Sequence, residues 1–195
     1  MYNCIFSPHC TEMTCDRSCP IFVQTNYLLE RNGISFSSAV FKRDEESIKT
    51  ALNVIHSCQD RLGTVVTENT VNTAELLTYC SICENWKGSQ LHCNVYSLKF
   101  SRYIEITKQS WNTHSETDEL EYMRIWSNSS KVLIVSNIDY VNFGDFESQT
   151  LLNLIQSRQV VGKTTIIVSP PLSRLVGKGS FFVGLHDILE RTKVK

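Results

Sequence analysis

The sequence predicts an α/β fold in which a parallel sheet is covered by helices on both faces. Two short runs rich in β-branched residues, 132–135 and 164–168, are typical of strands buried on both sides. Amphipathic segments of helical length alternate with such runs, which is the order of a parallel sheet. The 195 residues suffice for one domain with a small appendage, and 42% hydrophobic content is ordinary for a globular protein.

Local sequence patterns place the elements in order. Pro20 opens an apolar stretch that ends at Asn32-Gly33, which is typical of a helix. Asp44 can cap a second helix, which ends before Gly63. Its apolar residues recur at helical spacing and are Ile48, Ala51, Leu52, Ile55 and Cys58. The later predicted elements are strand 64–67, helix 73–84, strand 91–98, a helix beginning over 100–106, a polar segment 109–119, a helix ending near 126, strand 132–135, helix 146–158 and strand 164–168.

Charge and hydropathy exclude several classes of protein. The formal net charge is −1, so bulk charge does not predict binding to nucleic acid or to an anionic membrane. No apolar run approaches the roughly 18 residues that span a bilayer. A secretory signal has a basic region followed by an apolar stretch, and the first residues lack this pattern. We therefore expect a cytoplasmic protein without membrane contact.

Four of the eight cysteines lie close together at the start of the chain. The cluster consists of Cys4, Cys10, Cys15 and Cys19, spaced C-x5-C-x4-C-x3-C. In the cytosol such a cluster favours a metal over disulfides, and four thiolates suit one tetrahedral Zn²⁺, with His9 able to replace a thiolate. An iron–sulfur cluster is the alternative because the last cysteine precedes a proline, and free thiols are the third interpretation. Cys80 and Cys83 fit the apolar face of a predicted helix, where we expect buried cysteines without a metal.

Residues 131–175 carry an apolar strand, a helix, a basic turn from Arg158 to Gly162-Lys163, and a second strand. This order and spacing resemble the ATPase domain of the DnaC/DnaI bacterial helicase loaders and of the related transposition ATPases. The resemblance extends over about residues 63–191. It implies a three-layer AAA+-like P-loop fold with a parallel sheet over residues 35–195. A small metal-binding arm and one helix would precede it over residues 1–34.

The predicted phosphate-binding loop departs from what ATP binding requires. In a P-loop, glycines let backbone N–H groups surround the phosphates, a lysine contacts the β- and γ-phosphates, and a hydroxyl binds Mg²⁺. The resemblance places Thr67, Thr70 and Asn72 at the glycines, Thr73 at the lysine and Ala74 at the hydroxyl. A β-branched residue adopts a positive φ only at an energetic cost. We therefore expect that this loop does not bind a triphosphate.

Two further elements of the same chemistry are also altered. Ser136-Asn137 occupy the positions where the family has paired aspartates that hold Mg²⁺, and Asp139 comes two residues too late. At the end of the next strand, Ser169-Pro170 replace the polar sensor dipeptide of the family. Since three elements of one activity are altered together, the sequence predicts a degenerate ATPase that is not an enzyme and binds no ATP.

Basic residues suggest two other contacts. Arg191 matches the second of two family arginines that reach toward the nucleotide of a neighbouring subunit, and the alternative is a solvated helix arginine. Lys99, Arg102 and Tyr103 form a possible patch for single-stranded nucleic acid. Aromatic residues turned inward and basic residues turned to solvent explain this second pattern equally well.

The sequence and the resemblance together predict a non-catalytic adaptor or accessory subunit in helicase loading, encoded by a phage or mobile element. Its partners would be a replicative helicase, an active AAA+ loader subunit, or both, with DNA contact possible. An oligomer or a hetero-complex is expected. The alternatives are an inhibitor of host helicase loading, a zinc-dependent single-stranded nucleic-acid-binding protein, and an iron–sulfur redox enzyme.

Overall fold

The computed structural model describes residues 19–35, 45–60, 63–68, 73–87 and 94–193. Within these residues there are four strands and seven α-helices. The strands are β1 Thr64–Glu68, β2 Val95–Lys99, β3 Val132–Ser136 and β4 Thr164–Ser169. The helices are α1 Pro20–Arg31, α2 Glu45–Asp60, α3 Thr73–Lys87, α4 Phe100–Thr113, α5 Asp118–Ser129, α6 Asp145–Val160 and α7 Ser180–Thr192. No helix of the described segments is long and apolar enough to cross a membrane.

The four strands form one parallel sheet in the order β1-β4-β3-β2. The two strands predicted from their β-branched runs, β3 and β4, lie in its centre, where both faces are covered. Thr165 lies opposite Thr64 on one side, while Leu133 is its partner on the other. The predicted α/β fold with a parallel sheet is therefore confirmed.

Helices cover the sheet on both faces and enclose two separate hydrophobic cores. The first core lies between the sheet and α1, α2 and α3, and the second lies between the sheet and α4, α5, α6 and α7. Side chains of a strand point alternately to the two faces, so Ile166 belongs to the first core and Ile167 to the second. This arrangement gives the three layers that were predicted.

α1 packs into the first core together with α2 and α3. Leu28 and Leu29 are buried there, and Ile34 follows them just after the helix. The helix begins at Pro20 and ends before Gly33, whose φ of +69° suits glycine. α1 thus shares a core with the α/β body, while the predicted domain boundary at 34/35 adjoins residues 36–44, outside the described residues.

The outer edge of β2 is closed by side chains from the end of α1. The Asn32 amide accepts a hydrogen bond from the Ser97 N–H at 2.7 Å and donates one to the Val95 carbonyl at 3.4 Å. Arg31 also donates to that carbonyl, and its guanidinium lies 4.2 Å from the ring centroid of Trp126 on α5. α1 and α5 are therefore joined across the sheet edge.

A buried arginine connects α6 to α5 and to the central strands. Arg158 is 1% exposed and forms no salt bridge with a described acidic residue. Its guanidinium donates instead to backbone and hydroxyl oxygens, which belong to Ser127, Ser130, Lys131, Thr164 and Thr165. Burial lowers the pKa of Arg158 to about 10. The arginine of the predicted basic turn is thus part of the interior.

The N-terminus of α6 is held by a buried glutamate. Glu147 accepts a hydrogen bond from the Gly144 N–H at 2.9 Å and forms a salt bridge with Lys108 of α4. Burial by itself raises the pKa of Glu147. The hydrogen bonds from Lys108 and from backbone N–H groups outweigh that effect, so the pKa of Glu147 lies below its ordinary value. This contact fastens α4 to the start of α6.

The largest differences between the element boundaries and the sequence prediction are at β2 and α4. β2 begins at Val95, whereas the predicted strand began at residue 91, and residues 91–93 lie outside the described residues. α4 continues to Thr113, so the first half of the predicted polar segment 109–119 is helical. The helix ends at His114, which is left-handed with a φ of 51°, and Thr117 then caps α5 by accepting from the Leu120 N–H.

Candidate functional site at the carboxyl edge of the sheet

Because all four strands run in the same direction, their last residues meet at one edge of the sheet. Glu68 of β1 pairs with Ser169 of β4, and Ser136 of β3 pairs with Lys99 of β2. Ligands of open parallel sheets bind outside this carboxyl edge. Of the residues that the sequence assigned to a degenerate nucleotide site, Thr67, Ser136 and Asn137 lie at or near these strand ends, and their role stays a prediction.

The strand and the helix expected on either side of the phosphate-binding loop are present, while residues 69–72 between them lie outside the described residues. Thr67 is half-buried near the end of β1, and Thr73 is the first residue of α3. Ala74 packs against the first core, and its carbonyl accepts a hydrogen bond from the Thr78 hydroxyl at 2.7 Å. Thr70 and Asn72 lie outside the described residues. The first residue of α3 is therefore a threonine where the resembled family has lysine. The second is an alanine where that family has the hydroxyl that binds Mg²⁺.

The end of β3 carries no pair of carboxylates. Ser136 is buried, and Asn137 adopts a left-handed conformation with a φ of 59°. Asparagine tolerates this conformation better than most residues. The next residues form the 3-10 turn Ile138–Tyr140, within which Asp139 is exposed to solvent. The carboxylate of Asp139 therefore lies in the turn and not at the strand end.

The end of β4 is closed in a different way. Ser169 is fully buried, and its hydroxyl donates to the carbonyl of Pro170 at 2.8 Å. This hydrogen bond turns the hydroxyl toward its own backbone. The 3-10 turn Leu172–Arg174 follows. The strand end therefore offers proline where the resembled family has a polar sensor side chain.

The outer side of β1 is covered by the segment after α7. Lys193 forms a parallel bridge with Val66, and its ammonium lies 2.9 Å from a carboxylate oxygen of Glu68. The hydrogen bond and the charge of Glu68 raise the pKa of Lys193. Arg191, the possible arginine for a neighbouring subunit, is exposed and pairs with Asp187 one helical turn earlier at 2.7 Å. That geometry fits a solvated helix arginine, and the contact in trans stays a prediction.

The residues of the predicted nucleic-acid patch have different surroundings. Arg102 donates two hydrogen bonds to Glu119, at 3.1 and 3.0 Å, and one to Glu105. These carboxylates raise the pKa of Arg102 and offset its charge. Tyr103 is half-buried beside a buried phenylalanine, while Lys99 is exposed at the end of β2. Of the two cations in this patch, Arg102 is paired with carboxylates, whereas Lys99 is exposed and forms no ion pair with a described residue.

The cysteines fall into two structural settings. Cys19 is half-buried just before α1, and its carbonyl accepts a hydrogen bond from Val23. Its three predicted partners, Cys4, Cys10 and Cys15, lie outside the described residues, within which no group of three potential ligands could hold a metal. The zinc site stays a prediction. Cys80 and Cys83 are buried in the first core, as predicted, and burial also raises the pKa of the Cys58 thiol to about 12.

Sequence reasoning missed the loops that follow β3 and β4 at this edge. Tyr140 is 75% exposed, and Arg174 and Lys178 are exposed in the loop between β4 and α7. These residues are visible in the sequence as Asp139-Tyr140 and as Arg174 and Lys178 on either side of Leu175-Val176, but neither pattern by itself indicates a site. Only the packing of the two loops shows that they share one side of the molecule.

No family model matches the chain, and no curated protein matches it in sequence. Among solved structures, the chain is similar to AMPPCP-bound DnaA from Aquifex aeolicus, with a TM-score of 0.56 and 12% identity. The match covers 78% of this chain and 47% of the DnaA chain, so the chain spans about half of that protein. At this identity the likeness concerns the fold alone. The parallel sheet and its helices share the fold of the part of DnaA that the match covers.

Proposed function

We propose that this protein is a non-catalytic accessory subunit of DNA replication that acts through contacts with other proteins. In this proposal the AAA+-like fold serves as a scaffold and does not hydrolyse ATP. The partners would be a replicative helicase, an active AAA+ loader subunit, or both. The replication context is supported by the fold shared with DnaA and by the resemblance of residues 63–191 to helicase loaders.

The observation that carries the proposal is the chemistry of the carboxyl edge. The ends of β1, β3 and β4 lie side by side there, as ATP binding would require. The residues at the three positions are Thr73-Ala74, Ser136-Asn137 and Ser169-Pro170. None of these side chains is a cation for the phosphates or a carboxylate for Mg²⁺. Nucleotide binding on such a sheet depends on that cation and that carboxylate. Their replacement at all three positions therefore favours a role as a scaffold over a role as an ATPase.

Isothermal titration calorimetry tests the proposed loss of nucleotide binding. The full chain is titrated with ATP and Mg²⁺, and separately with AMPPCP and Mg²⁺, and Mg²⁺ alone is the control. We expect heats equal to those of the control. Binding with a micromolar dissociation constant would overturn the proposal that the protein does not bind nucleotide.

The proposed partner is tested by size-exclusion chromatography of the chain mixed with the replicative helicase and the active loader of its host. We expect co-elution with at least one of them. A helicase-loading assay then separates two roles, because an adaptor increases loading and an inhibitor prevents it. Independent elution from both proteins, at concentrations well above micromolar, would contradict the proposal.

We also propose that the four clustered cysteines bind one Zn²⁺ and fold the segment before α1. A short irregular segment gains most of its folding free energy from such a metal. Of the four, Cys19 is placed directly at the start of α1. Elemental analysis of purified protein is expected to give one zinc per chain, lost in Cys10→Ser/Cys15→Ser. A brown preparation containing iron would support the iron–sulfur alternative instead.

A further inference from the structure

Two segments leave the carboxyl edge of the sheet side by side. β3 and β4 are each followed by a 3-10 turn, and beyond the turns the two segments are joined by a parallel bridge between Phe143 and Gly177. The Lys178 N–H also donates to the Phe143 carbonyl at 2.9 Å. Tyr140 and Arg174 are each the last residue of their 3-10 turn, and each precedes the bridge by three residues.

The packing of α7 fixes these two segments. A Cβ atom at Gly177 would overlap the ring of Phe182, so the helix side chain lies directly on the loop backbone. The rings of Phe182 and Phe143 are 5.9 Å apart, which connects α7 to the other segment as well. Side chains that project outward from the two segments are therefore held by a buried aromatic contact.

The outward side chains combine one large aromatic ring with cations. Tyr140 is 75% exposed, so its ring contributes little to the core and is open to a partner. Arg174 and Lys178 are exposed, and neither forms an ion pair with a residue that the structure describes. Lys99 adds a third exposed cation at the end of β2, beside Ser136 of β3. These four residues form what we call the loop platform.

Besides the ion pair of Glu68 with Lys193, two carboxylates lie near the same edge and limit its charge. Asp139 precedes Tyr140, and the carboxylate of Asp145 lies against Gly179, next to Lys178 in the chain. Three cations against two carboxylates leave a surplus of one positive charge. Bulk attraction is therefore small, and recognition would depend on placing a phosphate chain along the cations and a flat group on the tyrosine.

We propose that the loop platform binds single-stranded nucleic acid. Tyr140 stacks on an unpaired base, while Arg174, Lys178 and Lys99 contact phosphates of the same strand. An aromatic ring among cations is the usual means of holding single strands without sequence preference. A duplex keeps its base faces covered, so it offers the phosphates but no partner for the ring. The proposal assigns a surface to the DNA contact that the accessory role leaves open, and it requires neither ATP nor the cysteine cluster.

Fluorescence anisotropy of a labelled oligothymidylate tests the platform with the full chain. In about 50 mM salt we expect binding that weakens with added salt, with a slope near −2 for three phosphate contacts at about 0.7 each. Arg174→Ala/Lys178→Ala should reduce the slope to about −0.7. Tyr140→Ala should weaken binding about tenfold without changing the slope, and Tyr140→Phe should retain it, because the ring stacks in both.

Matched controls separate this surface from a general effect of charge or of aromatic residues. Tyr27 of α1 is 57% exposed and Lys49 of α2 is also exposed, and both belong to helices of the first core and not to the loops after β3 and β4, so Tyr27→Ala and Lys49→Ala should bind as the wild type does. If Tyr140→Ala and Arg174→Ala/Lys178→Ala bound with the affinity of the wild type, the assignment would be overturned.

Two other results would also overturn it. One is the absence of oligothymidylate binding at low salt, which would leave the accessory role and its nucleotide test untouched. The other is equal binding of poly-L-glutamate, because this would indicate an acidic protein segment as the occupant. Competition by an equal concentration of blunt duplex, with no effect of Tyr140→Ala, would likewise contradict stacking on an unpaired base.

Discussion

Replacing Arg158 with methionine is expected to lower the free energy of unfolding by about 3–5 kcal/mol. Methionine resembles the arginine stem in length and shape, so the main change is the loss of the guanidinium. That group donates six hydrogen bonds to five residues, at distances from 2.6 to 3.4 Å. The carbonyls it leaves behind belong to the end of α5, to the residues before β3, and to β4.

The magnitude follows from two opposing effects. Removing the guanidinium takes one donor from each of these oxygens, and a buried acceptor that is left unsatisfied costs about 1–3 kcal/mol. The Lys131 carbonyl is an exception, since it still accepts from the Thr164 N–H. The variant also avoids burying a charge that no described carboxylate neutralises, which offsets part of the loss. The lowered pKa of Arg158 reflects that burial. The free energy lost with several hydrogen bonds exceeds the free energy gained by no longer burying one charge, so we expect the variant to be less stable.

Urea unfolding, followed by circular dichroism, measures the effect. Arg124→Met is the matched control because Arg124 is exposed and pairs with Glu116 on the surface. We expect the control to change the free energy of unfolding by less than about 1 kcal/mol. If Arg158→Met were as stable as the control variant, the hydrogen bonds of Arg158 would contribute nothing net, and our account of this contact would be wrong.

Two other variants test single contacts by the same unfolding measurement. Gly63→Ala should destabilise the fold by about 2 kcal/mol or more, because φ is +91° and a Cβ would lie 2.6 Å from the Lys163 carbonyl oxygen. Gly33→Ala, with a similar φ but open space, should cost only about 1 kcal/mol, and equal losses would contradict the clash. The lowered pKa of Glu147 stabilises the fold above the unfolded-state value of about 4.3, and this stability is lost as the pH falls through the folded-state pKa. Glu147→Gln should therefore be less stable than the wild type at pH 7 and differ less at acid pH, whereas a constant difference would refute the salt bridge with Lys108.

The predicted strands were correct where burial on both faces left a sequence pattern. Residues 132–135 and 164–168 are mostly β-branched and largely apolar because each side of the central strands meets a core, and this pattern is visible without a structure. The helix ends were less visible. α4 extends to Thr113 through polar residues whose side chains bond to carbonyls of the preceding turn. Such local bonds carry little periodicity, so the polar segment gave no helical pattern.

The candidate site was predicted only as far as chain order allowed. Parallel strands bring their carboxyl ends together, so the residues at the ends of β1, β3 and β4 could be assigned to one edge from the sequence. The patch around Arg102 could not be judged in this way, because Glu119 reaches it from another helix. Likewise, the exposure of Tyr140 depends on how the loop after β3 packs against the loop after β4. Contacts between distant segments decide both cases.

The amide of Asn32 has a consequence for how this protein can meet other chains. A border strand with free N–H and carbonyl groups invites an extended peptide to pair with it, both in specific complexes and in aggregation. On β2, Asn32 already occupies the Val95 carbonyl and the Ser97 N–H, while on β1 the bridge from Lys193 to Val66 covers the opposite border. Strand-by-strand growth of the sheet is therefore obstructed on both sides. We therefore expect partners to contact side chains on helices and loops, where substitutions can alter specificity without disrupting the hydrogen bonds of the sheet.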